Sequence, residues 1–173
     1  MFQESHTTVP SSTRTGTKIS VRSVSESYRL QKTACLLEMA GAGFGFKFSY
    51  HLYGPYSEDL TIAASDADAL DIIDTTEKQA EWGGHYFVYQ TNDDVADLPA
   101  PIRELAALAA KSDSIELELA VTAGFLAKNG TENPWDEVIS RKRAKATPER
   151  IERARTLYRS FARRGLPNAL PTI

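Results

Sequence analysis

Cysteine is almost missing from this chain. Cys35 is the only one in 173 residues, so no disulfide can form within the chain, and the usage fits a reducing cytoplasm. Histidine is scarce too. His6, His51 and His85 are the full set, none at ligand spacing from another His or from the cysteine, and no HExxH or CxxC occurs. Neither a metal nor a cofactor is expected. Long apolar runs are lacking: nothing approaches the ~20 residues needed to cross a bilayer. Residues 1–22 lack the apolar segment of a secretory signal, are rich in Ser and Thr, and read as a flexible tail. GxxxxGK[ST] and GxSxG are absent as well. The run GAGFGF follows a helical pattern and precedes a strand, whereas a dinucleotide site needs glycines that open a helix. These absences argue against an enzyme.

Charge is present but unevenly spread. The net charge is −3, yet residues 54–140 hold 18 acidic side chains against 4 basic, and residues 141–164 hold 10 basic against 2 acidic. The two blocks either attract each other within the fold or form separate solvated or interacting faces. The length suits one domain over residues 23–173, with an apolar core that needs no staples.

Residues 30–60 carry the clearest local pattern. A first helix starts near Ser23–Ser25, where Ser23 and Glu26 have capping-box spacing. Tyr28, Leu30, Ala34 and Leu37 would line its buried face, with Arg29 and Lys32 in water. Gly41, Gly43 and Gly45 end it. Phe46, Phe48, Tyr50 and Leu52 then alternate with polar neighbours as a half-buried strand, which Gly54-Pro55 breaks. Ser57 caps a helix to about Ala64, and Ser65 caps a second from Asp66 to Ile73 that buries Ala69, Leu70 and Ile73. Gly83-Gly84 marks a hairpin turn between Thr75–Trp82 and His85–Gln90.

Four further helices are expected. One spans Ile102 to about Lys111. The next, Ser114–Lys128, is capped by Asp113, is apolar nearly all round, and should be the most buried. The third starts at Asn133-Pro134, with Trp135, Val138 and Ile139 on its apolar face, and the last spans Glu149–Arg164. The fold class is therefore mainly α with a small β-sheet. A winged-helix-like part over residues 23–92 precedes a helical bundle over residues 101–165.

A winged helix suggests DNA, but the expected reading helix carries Asp66, Asp68, Asp71 and Asp74, which phosphates repel. Nucleic acid would instead have to meet the basic C-terminal block: Arg141, Lys142, Arg143, Lys145, Arg153, Arg159, Arg163 and Arg164. The N-terminal Arg14, Lys18 and Arg22 are the other option. The aromatic strand and turn, Tyr50, His51, Tyr53, Gly54, Pro55 and Tyr56, form a candidate protein-binding surface, because tyrosines anchor interfaces. They could equally pack against the first helix. A polar cluster of His51, Tyr53 and His85 is the remaining, weaker enzymatic option. Cys35, in a helix, reads as a core residue.

The combination of Leu30, Gln31 and Lys32 in a first helix with Tyr53-Gly54-Pro55-Tyr56 after an aromatic strand resembles the Panacea-domain group. That group includes SocA-like antitoxins, phage-associated proteins and YwgA-like proteins. The resemblance covers about a third of the chain, and the basic C-terminal helix is closer to the YwgA-like type. It implies a non-enzymatic cytoplasmic protein that binds a protein partner, with a structural role for Leu30, Gln31 and Lys32. Lys32 would lay its stem on an aromatic ring beside the Tyr-Gly-Pro turn.

Overall fold

The computed structural model describes residues 26–79, 85–91 and 98–173. The expected tail over residues 1–22, the Ser23 cap and the Gly83-Gly84 turn lie outside them. In chain order the elements are α1 (Glu26–Met39), β1 (Ser49–His51), β2 (Gly54–Tyr56), α2 (Glu58–Ala69), β3 (Ile73–Gln79), β4 (His85–Thr91), α3 (Ala100–Lys111), α4 (Ser114–Lys128), α5 (Pro134–Arg141) and α6 (Pro148–Ala162). The strands pair antiparallel as two separate two-stranded sheets, β1–β2 and β3–β4. The protein is mainly helical with a small β content, as expected.

The helical half follows its local signals closely. Asp113 Oδ1 accepts from the Ile115 and Glu116 amides and caps α4, and Thr147 Oγ1 accepts from Arg150 N and caps α6. Proline stands at the first turn of α5, although the Asn133 side chain makes no cap bond. Gly130, at φ 86°, follows α4 in the left-handed region that glycine adopts freely. Nine residues of α4 are buried, more than in any other described helix. Around α4 pack α1, α5 and α6. Leu36, Leu105, Leu119, Val121, Val138 and Phe161 are fully buried in one core, each contributing about 1.5–3 kcal/mol by leaving water. Ile139 is exposed instead of joining Trp135 and Val138.

The segment after α6 folds back over the core. Asn168 N donates to Ala40 O at 2.9 Å, the Tyr158 hydroxyl donates to Pro171 O at 2.8 Å, and Leu170 is buried.

The N-terminal half departs from expectation in four places, each through contacts distant in sequence. First, α1 buries Arg29, Gln31, Lys32, Cys35, Leu36 and Met39, while Tyr28 is exposed and Leu30 and Leu37 are half-buried. Arg29 is drawn inward by carbonyls at the end of α3, donating from Nη1 to Ala109 O, Ala110 O and Ser112 O at 3.1, 2.9 and 2.6 Å. The last carbonyls of a helix are short of intrahelical donors, and a cation there also suits the helix dipole.

Second, the strand expected from Phe46 pairs only over Ser49–His51. Leu52 lies in the turn and is exposed, not buried. Third, Gly54-Pro55 does not end the β-structure. With Gly54 at φ 88° the chain reverses, and Gly54–Tyr56 becomes the returning strand, in register Ser49↔Tyr56, Tyr50↔Pro55 and His51↔Gly54.

Fourth, the two short helices expected between Ser57 and Ile73 are one, α2. Ser57 caps it as expected, accepting from Leu60 N. No glycine or proline interrupts Glu58–Ala69 and four alanines favour its continuation, so Ser65 sits inside a turn rather than before one. Ala69 and Leu70 are exposed and Ile73 already belongs to β3. A separate reading helix is therefore not formed, and the order is helix, hairpin, helix, hairpin.

Candidate functional site

The β1–β2 hairpin has strands of only three residues, and a hairpin that short is marginal by itself in water. Here it is held by buried polar side chains from outside. Gln31 forms a two-point clamp on Ser57, Nε2 donating to Ser57 O at 2.9 Å while Oε1 accepts from Ser57 N at 2.8 Å. Its Nε2 also reaches Thr61 Oγ1 at 3.0 Å. Lys32, 2% exposed, donates from Nζ to Pro55 O at 2.8 Å. From the far end of the chain, Lys142 Nζ donates to Leu52 O at 2.6 Å. The Leu-Gln-Lys and Tyr-Gly-Pro-Tyr stretches are thus bonded to each other. The Lys32 ammonium makes the bond to the turn, and Leu30 is half-buried.

Beneath the hairpin stands Glu118 of α4. Lys145 Nζ donates to its Oε2 at 2.6 Å. Lys142 Nζ lies 2.8 Å from Oε1, an ion pair without hydrogen-bond alignment. One turn further along, the fully buried Thr122 lies so close to Gly54 that a Cβ there would come within 2.5 Å of Thr122 Oγ1. Only glycine fits, for reasons of both space and backbone angle. Burial lowers the Lys32 ammonium to a pKa of about 8, against the pull of Glu118, and Lys142 and Lys145 add to the lowering.

Cations also sit on the rings. The Arg141 guanidinium lies 4.4 Å from the Tyr50 centroid, and Lys145 Nζ lies 5.1 Å from that of Tyr53. Tyr53 and Tyr28 meet tilted at 4.8 Å. Burial raises the Tyr28 and Tyr50 hydroxyls above their ordinary pKa. What remains in water is the tip: Leu52 is 80% exposed, Tyr53 43%, and His51 is exposed beside it.

The sequence candidates are therefore divided between clamp and tip. Gly54 and Pro55 are buried, Tyr50 and Tyr56 are half-buried, and His51 and Tyr53 face outward. His51 Nε2 lies 3.0 Å from Ser49 Oγ, and its ring tilts against Tyr56 at 5.0 Å. His51 and His85 stand in different sheets. Cys35 is a core residue whose thiol burial pushes up to about 12, far from a reactive thiolate.

The basic block is largely engaged within the fold. Arg141 pairs with Glu137, Lys142 and Lys145 with Glu118, and Arg153 with Glu116. Arg159 donates to Arg155 O of its own helix, and Arg164, just past the end of α6, donates to Ser160 O. Arg143 and Arg163 are exposed. The acidic and basic blocks thus meet in part along α4, α5 and α6.

Glu118 and Thr122 are not among the sequence candidates, and Tyr28, expected on the buried face of α1, is exposed instead. Glu118 did carry a signal, as the one acid inside the apolar run Leu117–Phe125. Among the described residues no His/Cys/Asp/Glu group suited to a metal ion is found, and no helix is long and apolar enough to cross a membrane. A scan against protein-family models, a search of curated proteins and a search of solved structures each return no match.

Proposed function

We propose that this chain is a non-enzymatic, antitoxin-like interaction module of phage-associated or defence type, acting by binding a protein partner through the tip of the β1–β2 hairpin. One observation carries the reading. A hairpin of three-residue strands is fixed by Gln31, Lys32 and Lys142, yet it exposes Leu52 and Tyr53. Fixing a loop before binding removes the ordering cost at association, and apolar and aromatic side chains on such a support act as anchors. The bonding between the two stretches that resemble Panacea-domain proteins supports the same reading. The internal pairing of Arg141, Lys142, Lys145 and Arg153 leaves fewer cations for phosphates and disfavours nucleic acid.

The test is affinity purification of the tagged full chain from cells that carry its gene, beside a Leu52→Ser/Tyr53→Ser variant. A stoichiometric protein partner is expected with the native chain and not with the variant, both melting at the same temperature. Retention of the same partner by the variant overturns the hairpin as the binding surface.

A further inference from the structure

We infer that the partner surface meeting this hairpin is acidic: a protein face whose carboxylates flank an apolar socket for Leu52. The inference rests on the hairpin being the binding surface and adds the chemistry of what binds there. Four cations surround the tip. Lys32 and Lys142 touch its backbone carbonyls, and Arg141 and Lys145 lie on its tyrosines. The carboxylates paired with this group are two, Glu118 and Glu137. Lys32 Nζ has the Pro55 carbonyl as its acceptor, and Glu118 is already shared by two other ammonium groups. Arg143, two residues past Arg141, is exposed as well. Glu58 and Asp59 follow the opposite, base end of the hairpin, where Ser49 pairs with Tyr56. The tip thus combines an aliphatic side chain in water with an excess of positive charge, and a partner complementary in both respects carries carboxylates around a hydrophobic recess.

Phosphate-rich partners fit less well. Nucleic-acid affinity grows with the number of phosphates neutralised, and the cations here form one small cluster around a single hairpin. An exposed leucine at the centre gains nothing from a phosphate backbone.

The experiment selects a random-peptide library on the folded full chain, with counter-selection on Leu52→Ser/Tyr53→Ser. Enriched peptides are expected to carry net negative charge and at least one aliphatic or aromatic residue. Binding of a synthesised winner should weaken at least tenfold in Arg141→Gln/Arg143→Gln and fall steadily as sodium chloride is raised. Circular dichroism melts keep this distinct from unfolding. Neutral or basic winners that still need the hairpin overturn the acidic partner while leaving the hairpin reading intact. Absence of enrichment, or enrichment indifferent to the hairpin variant, overturns both. Retention of a DNA duplex at low salt, lost in the arginine variant, overturns the acidic partner in favour of nucleic acid.

Discussion

The two hairpins of this protein are built on opposite principles. The β3–β4 hairpin pairs seven residues on each side, Ile73↔Thr91 through Gln79↔His85, and packs on α1 with Val88 buried. Its ladder is its own. The β1–β2 hairpin has a ladder of three, and its stability is imported through long polar side chains from α1 and from the residue that ends α5. A hairpin that supports itself can tolerate changes in its surroundings. One that is supported from outside reports them, and it keeps its exposed tip in a single geometry only while every support is in place.

The sharpest way to break this contrast is Glu118→Ala. It leaves Lys142 and Lys145 without their counter-charge, and a loss of about 3 kcal/mol is expected, since removing one member of a buried ion pair strands the other. Urea melts measure it. Hydrogen exchange should quicken in residues 49–56 more than in β3–β4, and equal effects on both hairpins would dissolve the comparison.

Next comes Gly54→Ala, expected to cost roughly 2–4 kcal/mol from strain at a positive φ and the clash with Thr122. Adding Thr122→Ala removes the atom met at 2.5 Å and should restore the steric share while leaving the backbone share. Failure of the second change to recover any stability would show that the clash is not the cause.

Gln31→Ala should cost about 2 kcal/mol, because the Ser57 amide and carbonyl both lose a buried partner. The amides around Ser57 should exchange faster while those of β3–β4 do not change.

The remaining effect is in pH. Lys32 is held at about 8 in the fold, below its ordinary 10.5. Between these values the unfolded chain binds a proton that the folded chain does not, so this group's contribution rises from pH 8 to 10.5 and is lost as pH falls through 8. Cys35 acts oppositely, since its folded thiol keeps its proton to about 12 against an ordinary 9.0. A Lys32→Met comparison in a Cys35→Ala background isolates the lysine, and its ε-carbon resonance should titrate near pH 8.

What could be read from the sequence follows the same division. The cap at Asp113 and the proline start at Pro134 are decided within a few residues and lie where expected. The apolar period of α4 likewise announces its burial. The inward turn of Arg29 and Lys32 could not be read, because their acceptors lie 80 or more and 23 residues away, and a charged side chain next to apolar ones reads as solvent-facing. No second short helix forms, because Ser65 and the following aspartates only imitate a cap, while the alanines around them sustain the helix already begun. Of the candidate site, the aromatic residues were visible. The carboxylate that organises them, 65 positions after Tyr53, was not.

The bond from Lys142 to the Leu52 carbonyl spans 90 positions. During synthesis a chain that has just emitted its aromatic hairpin possesses Gln31 and Lys32 but neither Glu118 nor the lysines that pair with it. Contacts of such long range are late to form. The exposed leucine and tyrosine take their final arrangement only once α4 and α5 have emerged and docked, so the order of this surface reports the arrival of helices far along the chain.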